Sequence, residues 1–266
     1  MTSLLWLYLP IGAAIGFIAG LLGVGGGAIL VPAFLWASQA QGVPPAHAMH
    51  MALGTSLACI LVSSLSSMRA HHRRGAVNRA IARPMVLPIF LGSLAGTFVA
   101  AALPSTPLKW VFLVFLLYVG QDLLRRPNPI GHRGLPGPVG MAVMGAVIGL
   151  FSALVGIGGA SLTVAFLVWC SVGMHEAIGT SAALGFPIAL AGTLGYAING
   201  WGVPGLPVGS LGFVYLPAFA GVTAISTLTA PLGARTAHAL PVATLRRIFA
   251  AVLLTVAARM VWGLLV

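Results

Sequence analysis

The stretch GLLGVGGGAILVP, from Gly20 to Pro32, places five glycines within eight residues of an otherwise strongly apolar chain. A second copy, ALVGIGGASLTVA, runs from Ala153 to Ala165. Three glycines occur in the same register in both copies: Gly23, Gly25 and Gly26 of the first correspond to Gly156, Gly158 and Gly159 of the second. The two copies lie half a chain length apart, which predicts a duplicated protein.

Composition places the whole chain in a membrane. Hydrophobic residues make up 59% of the 266 residues, charged residues make up 6%, and the mean hydropathy is +1.06. Soluble domains of ordinary composition do not reach these values. Apolar runs of about 20 residues, the length that a helix needs to cross a hydrocarbon core of about 30 Å, recur from end to end. We therefore predict an all-α integral membrane protein.

Glycine, proline and charge clusters divide the chain into two series of five apolar segments. The first series is 4–22, 27–41, 46–68, 81–103 and 107–124, and the second is 138–155, 160–172, 175–199, 210–233 and 243–265. We predict a first membrane repeat over 1–124, a basic cytoplasmic linker over 125–137 and a second membrane repeat over 138–266. The fold is then a bundle of about ten helices, between eight and ten, that span the membrane wholly or in part.

A second pair of stretches supports the duplication. MHMALGTSLA, which begins at Met49, and MHEAIGTSAA, which begins at Met174, are identical at seven of ten positions. Each contains a Gly-Thr-Ser motif inside an apolar segment. The third segment of one series therefore corresponds to the third segment of the other.

The distribution of Lys and Arg predicts that the two repeats are inverted. Eleven of the thirteen basic residues flank the third junction, the linker and the ninth junction, and such clusters mark cytoplasmic loops. The junction equivalent to the third, NGWGVPGLPVGS, carries no charge. Inverted repeats are common in secondary transporters, whose substrate sites lie near the midplane. Segments 27–41 and 160–172 are short for full spans and could be half-helices or re-entrant segments.

The glycine clusters are candidate binding sites for an anion. A glycine-rich break next to a short helix leaves backbone N–H groups and the positive end of a helix dipole facing a cavity. The alternative is that the glycines only let helices pack closely. The candidate substrate-binding residues are the loop glycines and the hydroxyls of both Gly-Thr-Ser motifs: Gly23, Gly25, Gly26, Gly27, Thr55, Ser56, Gly156, Gly158, Gly159, Thr180 and Ser181.

Few ionisable residues lie at membrane depth, and each is a candidate for coupling transport to protons. Glu176 is one of two acidic residues in the chain, and its counterpart in the first repeat is Met51. His50 and His175 precede the two Gly-Thr-Ser motifs and could titrate near neutral pH. An acid at a helix start is also ordinary complementation of the helix dipole, so the role of Glu176 stays open.

The sequence lacks the residue patterns expected of a metal protein, a nucleotide-binding protein, an enzyme or a nucleic-acid-binding protein. No pattern of His, Cys, Asp and Glu indicates a metal site, and we expect no cofactor. The glycine clusters lack the Lys-Ser/Thr of a phosphate loop. Two acids and scattered histidines do not supply a nucleophile with a base, so we do not expect an enzyme. Basic residues confined to short loops argue against nucleic acid as a partner.

GLLGVGGGAILVP, the PAHAMHMALGTSLA stretch and the closing ARTAHALPVATLRRIFAAVLL together resemble the TauE/SafE family of sulfite and organosulfonate exporters. The resemblance extends over essentially the full chain. It implies a multi-pass carrier of the bacterial inner membrane that moves sulfite, thiosulfate, sulfoacetate or a related small anion. The second loop departs from the first at Ala160, which stands where Gly27 stands in the first copy.

The sequence thus predicts a secondary transporter, in the export direction, of a small sulfur-containing anion by alternating access. The alternative is an anion channel or uniporter, or a carrier of another small anion. The expected partners are the anionic substrate, the lipid bilayer and a coupling proton or ion. The substrate itself and a homo-oligomeric state stay open.

Overall fold

The computed structural model describes Pro10 and residues 12–18, 27–73, 75–125, 134–239 and 241–265. Residues 12–18 are helical and precede nine further helices and one β-hairpin in this described part of the chain. In order these are α1 Gly27–Ala40, α2 Pro45–Arg73, α3 Arg79–Ala102, α4 Ser105–Arg125, α5 Pro138–Val155, α6 Ala160–Trp169, α7 Met174–Asn199, β1 Ser210–Leu211, β2 Val214–Tyr215, α8 Leu216–Ala239 and α9 Val242–Leu265.

The protein is an all-α membrane protein. Six of the described helices are long and apolar enough to cross a bilayer, namely α2, α3, α4, α5, α7 and the 247–264 part of α9. Their outward faces are apolar as well, since Leu87, Val114 and Val139 are 64%, 63% and 78% exposed. Such side chains are stable at the surface of a protein that faces lipid rather than water.

Two helices are too short to cross by themselves. α1 has 14 residues and α6 has 10, which at 1.5 Å per residue correspond to about 21 and 15 Å. Both lie where the sequence predicts short segments. Each begins directly at the end of a glycine cluster.

One predicted segment differs from the structure. The sequence predicts a helix over 210–233, whereas residues 210–215 form an antiparallel β-hairpin and α8 begins only at Leu216. Four glycines in and before the hairpin have positive φ, which a helix does not allow: Gly202, Gly205, Gly209 and Gly212. The helix therefore starts after the last of these glycines and continues to Ala239.

α2 and α7, the helices that carry the two Gly-Thr-Ser motifs, pack against each other in antiparallel directions. Three close approaches along the pair define the direction, Gly54 with Tyr196, Leu57 with Gly192 and Ser64 with Gly185. As the number rises along α2, the number of its partner falls along α7. Both helices are largely buried and form the centre of the bundle.

Glycines on other helices make matched contacts in the two halves of the chain. Gly12 and Gly16 lie against Val222 and Ser226 of α8, and Gly145 and Gly149 of α5 lie against Met85 and Ile89 of α3. The two sets occupy equivalent positions in the two series of segments. Small residues let these helix backbones approach closely, as is typical of helix interfaces in membranes.

Candidate functional site at the glycine breaks

The second glycine cluster forms a break of four residues between α5 and α6. Gly156 ends α5 in the left-handed conformation with φ 67°, and Ile157 N–H donates to the carbonyl of Ser152 at 3.0 Å. This arrangement is a Schellman C-cap, which requires a residue that tolerates positive φ. Gly159, with φ 69°, then begins α6 without a side-chain cap. The first N–H groups of α6 have no acceptor within their own helix.

The break lies where α2 and α7 cross. A Cβ atom placed on Gly158 would lie 2.5 Å from Ile60 Cγ2 of α2, and one placed on Gly185 of α7 would lie 3.0 Å from the carbonyl oxygen of Gly158. Gly156 faces Leu53 of α2 in the same way. Among the described residues, apolar side chains of α2 therefore pack directly against the break.

Gly27, the last glycine of the first cluster, also reaches this crossing. Gly27, the first residue of α1, is buried, and a Cβ placed on it would lie 3.0 Å from both Ile157 Cα and Ile60 Cδ1. Ile60 therefore packs against both Gly27 and Gly158. The other candidate glycines of the first cluster, Gly23, Gly25 and Gly26, lie outside the described residues.

The threonines of the two Gly-Thr-Ser motifs are buried and bind backbone of the opposite half. Thr55 Oγ1 accepts a hydrogen bond from Tyr215 N–H at 3.0 Å, and Thr180 Oγ1 accepts one from Asn78 N–H at 3.0 Å. Tyr215 and Asn78 are the residues immediately before α8 and α3. In both halves, therefore, the threonine of the third segment holds the strand or loop that enters the fourth segment of the other half.

Ser56 of the first motif also binds backbone of the opposite half. Ser56 Oγ donates to the carbonyl oxygen of Gly156 at 2.9 Å, which ties α2 to the second break. Ser181 is equally buried, at 1% exposure. From sequence, such hydroxyls are expected to bind either an anion or a carbonyl of their own helix. The structure brings Thr55, Ser56 and Thr180 instead onto backbone groups from elsewhere in the chain.

Glu176 lies at the start of α7 beside the junction between α2 and α3. Its carboxylate accepts a hydrogen bond from the side-chain amide of Asn78. Asn78 also caps α3, because its Oδ1 accepts from the N–H groups of Ala80 and Ile81 at 2.8 and 3.2 Å. Glu176 is thus half-buried next to the basic junction between α2 and α3.

The two candidate histidines differ although they occupy equivalent positions. His50 is 4% exposed, and its Nε2 lies 3.0 and 3.1 Å from the carbonyl oxygens of Ala100 and Leu103 at the end of α3. Because carbonyls only accept, Nε2 carries the proton and donates. His175 is exposed at the start of α7. The structure therefore does not bring the two histidines together at the break.

Two hydroxyl residues that the sequence analysis did not single out flank the second break. Ser152 and Thr163 are both 0% exposed, and within the described part of the chain neither side-chain oxygen has a hydrogen-bond partner. The equivalent positions of the first copy are Ala19 and Leu30. A polar residue in one copy where the other copy is apolar is the signal that could have indicated them.

Among the residues that the structure describes, no group of three His, Cys, Asp or Glu side chains could hold a metal ion. The described helices instead pack around the second glycine break and the buried first residue of α1. A multi-pass helical bundle with short, interrupted helices at its centre has the architecture of a membrane transporter.

The chain belongs to the family described as Sulfite exporter TauE/SafE, whose sequence profile matches residues 8–260. The resemblance inferred from the glycine and Gly-Thr-Ser motifs is thereby confirmed. The chain is 34% identical to a probable membrane transporter protein of Haemophilus influenzae, over 98% of this chain and 99% of that one. It is 26% identical to the probable membrane transporter protein YunE of Bacillus subtilis, over 71% and 77% of the two chains. No solved structure matches the chain.

Proposed function

We propose that this membrane transporter is a secondary carrier of a small sulfur-containing anion, such as sulfite, thiosulfate or an organosulfonate, and that it works as an exporter by alternating access. The observation that carries the proposal is the position of the second break. The uncapped start of α6 lies where the two central helices cross, so its N–H groups and positive dipole end are directed into the middle of the bundle. The description of the family supplies the class of substrate.

Alternating access follows from two inverted repeats, which we propose over 1–124 and 138–266, joined by the linker 125–137. The antiparallel packing of α2 and α7 supports inversion, because these helices carry the same motif in the two halves. The matched contacts of Thr55 and Thr180 support it as well. On this assignment the chain has about ten segments, of which α1 and α6 span the membrane only in part.

The anion would bind to backbone amides at the glycine breaks, at Gly23, Gly25, Gly26 and Gly27 in one half and at Gly156, Gly158 and Gly159 in the other. A set of neutral donors in an apolar surrounding favours an anion over a cation. The hydroxyls of Thr55, Ser56, Thr180 and Ser181 stay predicted ligands. In the closed conformation, three of them hold backbone segments that must move when the break opens.

For coupling, we propose that a proton or another ion drives the transport and that Glu176 carries the coupling proton, with His175 and His50 as further candidates. Glu176 touches the junction that precedes α3 through Asn78. A change in its charge would alter a contact between the two halves, which is what a coupling group must do. The protein would act in the bacterial inner membrane.

Flux measurements in liposomes test the proposal. Purified protein would be offered sulfite, thiosulfate, sulfoacetate and sulfate, with and without imposed pH and sodium gradients. We expect at least one of the sulfur anions to move faster than in protein-free liposomes and a gradient to drive it against its own concentration difference. Absence of flux for all four anions would contradict the proposal.

The channel or uniporter alternative predicts the same selectivity without coupling, and Glu176→Gln separates the two. In a proton-coupled carrier this variant loses uphill transport under a pH gradient while downhill exchange persists. Unchanged uphill transport would remove Glu176 from coupling. Flux that never moves uphill under any gradient, in the unmodified protein, would favour the channel.

A further inference from the structure

We infer that the hydroxyls of Ser152 and Thr163 are side-chain ligands of the oxyanion at the second glycine break. The inference rests on the proposed function and adds to its backbone ligands two side chains from one half of the molecule. The starting observation is a pair of buried hydroxyls that lack hydrogen-bond partners in the described part of the chain. Both hydroxyls are completely buried, and neither has a partner among the described residues.

An unpaired buried hydroxyl is unfavourable, so two of them at one place need a reason. Burying a hydroxyl without a partner costs about 1–3 kcal/mol by protein mutational data. Most other buried serine and threonine hydroxyls here are bonded, for example Ser93 Oγ to the carbonyl of Ile188 at 2.9 Å. Membrane helices usually satisfy such groups within the helix. Ser152 and Thr163 are therefore candidates for groups whose partner is a bound solute.

Ser152 Oγ faces the start of α6, and Thr163 lies in the first turn of that helix. A Cβ atom placed on Gly159, the residue that precedes α6, would lie 3.1 Å from Ser152 Oγ. Thr163 N–H donates to the carbonyl of Gly159 at 2.8 Å, and the two residues are one helical turn apart. Residues four apart share one face of a helix. Ser152 of α5 and Thr163 of α6 thus lie beside the same helix N-terminus, which has no side-chain cap.

Together these groups form a set of donors for an oxyanion. Hydroxyls and backbone N–H groups can each donate to a different oxygen of a sulfite, a thiosulfate or a sulfonate group. The helix dipole supplies the positive potential at this site. The side chain that occupies the space in front of Gly159 is uncharged, because it is Cδ1 of Ile188 from α7 that lies there. In this closed conformation that methyl group must withdraw before the anion enters.

The first break lacks these hydroxyls. Its equivalent positions hold Ala19 and Leu30, which cannot donate a hydrogen bond. These side-chain ligands are therefore present in only one copy of the duplicated sequence. The first break would then serve as the helix end that packs against the second through Gly27.

The variants Ser152→Ala and Thr163→Val test the assignment, with Thr163→Ser as the conservative variant that keeps the hydroxyl. The control is Ser63→Ala, because Ser63 is exposed and donates to Ile60 of its own helix. For each protein, melting temperature in detergent is measured with and without sulfite, thiosulfate or chloride, and anion KM is measured in liposomes.

We expect sulfite or thiosulfate, and not chloride, to raise the melting temperature of the unmodified protein, of Thr163→Ser and of Ser63→Ala. Ser152→Ala and Thr163→Val should melt no lower than the unmodified protein without anion, because their hydroxyls have no partner to lose. Both should lose the anion-dependent rise, and KM should increase at least about tenfold, as expected for a lost hydrogen bond to a charged acceptor.

Failure of the inference and failure of the proposed function give different results. If the unmodified protein carries a sulfur anion and either Ser152→Ala or Thr163→Val keeps its full anion-dependent rise and KM, the assignment is wrong and the transport function stands. If Ser152→Ala does not fold, Thr163→Val against Thr163→Ser decides. If the unmodified protein neither carries nor is stabilised by any sulfur anion, the proposed function itself fails, and the assignment fails with it.

Discussion

At the scale of single residues, Gly158 shows how tightly the second break is built. It is the residue of the break that faces Ile60 of α2, and Ile60 also contacts Gly27 of the first break. One isoleucine side chain therefore packs against glycines of both clusters. Any side chain at position 158 has to displace it, because protein interiors leave few voids larger than a water molecule.

We expect Gly158→Leu to abolish anion transport while the protein still inserts in the membrane. The added atoms collide with Ile60 and fill the space that a ligand would need, and overpacking of this kind lowers stability by about 1–3 kcal/mol. Transport is measured as flux of sulfite or thiosulfate into liposomes, and insertion by the yield of folded protein in the membrane fraction.

Gly263→Leu is the matched control, since Gly263 is exposed near the end of α9 and has no atoms of the described chain within 4 Å of a Cβ placed there. It should transport like the unmodified protein. Normal flux in Gly158→Leu would count against a binding role for the break.

At the scale of elements, the junctions before α3 and α8 are held by the long helix of the opposite half. Gly179 lets the backbone of Ala76 approach α7, and Gly54 lets the backbone of Phe213 approach α2. The adjoining threonine then accepts the backbone N–H of the residue that precedes the next helix. The Gly-Thr-Ser motif is thus a docking motif: glycine provides close approach and threonine provides the acceptor.

We expect Thr55→Val and Thr180→Val to destabilise the protein to a similar extent. Each leaves a backbone N–H without its acceptor, which costs about 1–3 kcal/mol when the group is buried. The measurement is thermal unfolding of the purified protein in detergent, followed by circular dichroism or by dye binding.

Thr255→Val provides the comparison, because Thr255 is exposed on α9 and donates only to Ala251 of its own helix. Its effect should stay within about 0.5 kcal/mol. A melting temperature that falls no further in Thr55→Val or Thr180→Val than in Thr255→Val would show that these contacts do not hold the junctions.

At the scale of the whole molecule, the distribution of basic residues can be compared with the antiparallel packing of α2 and α7. Arg69, Arg73, Arg79 and Arg83 lie at the end of α2 and the start of α3, whereas the 200–215 connection between α7 and α8 carries no charged residue. Since α2 and α7 are antiparallel, the α2–α3 junction and the α7–α8 connection lie at opposite ends of the central pair. The positive-inside rule then predicts that the α2–α3 junction is cytoplasmic.

Single cysteines at these two ends test the orientation in a background in which Cys59 and Cys170, both buried, are replaced by alanine. We expect Val208→Cys to react with a membrane-impermeant thiol reagent in intact cells, since Val208 is 79% exposed. His72→Cys, at the exposed end of α2, should react only after permeabilisation. Labelling of both positions from the same side would contradict inverted repeats.

The sequence alone determined the class of protein and most of its helices, because lipid imposes a length and a composition that can be read directly from the chain. The short helices α1 and α6 were also predictable from sequence, because the glycine clusters mark where they begin. The exception is the 210–215 hairpin, where local glycine and proline chemistry interrupts an otherwise apolar stretch.

Only the tertiary structure decided what the polar groups do. Thr55, Ser56 and Thr180 bind backbone groups that are 100 or more residues distant in sequence, and no local pattern encodes such partners. The same holds for Ser152 and Thr163. Their importance is visible only in the structure, where packing buries both hydroxyls without a hydrogen-bond partner among the described residues. Hydrophobicity is a property of each residue, whereas the satisfaction of a hydrogen bond depends on which distant segments folding brings together.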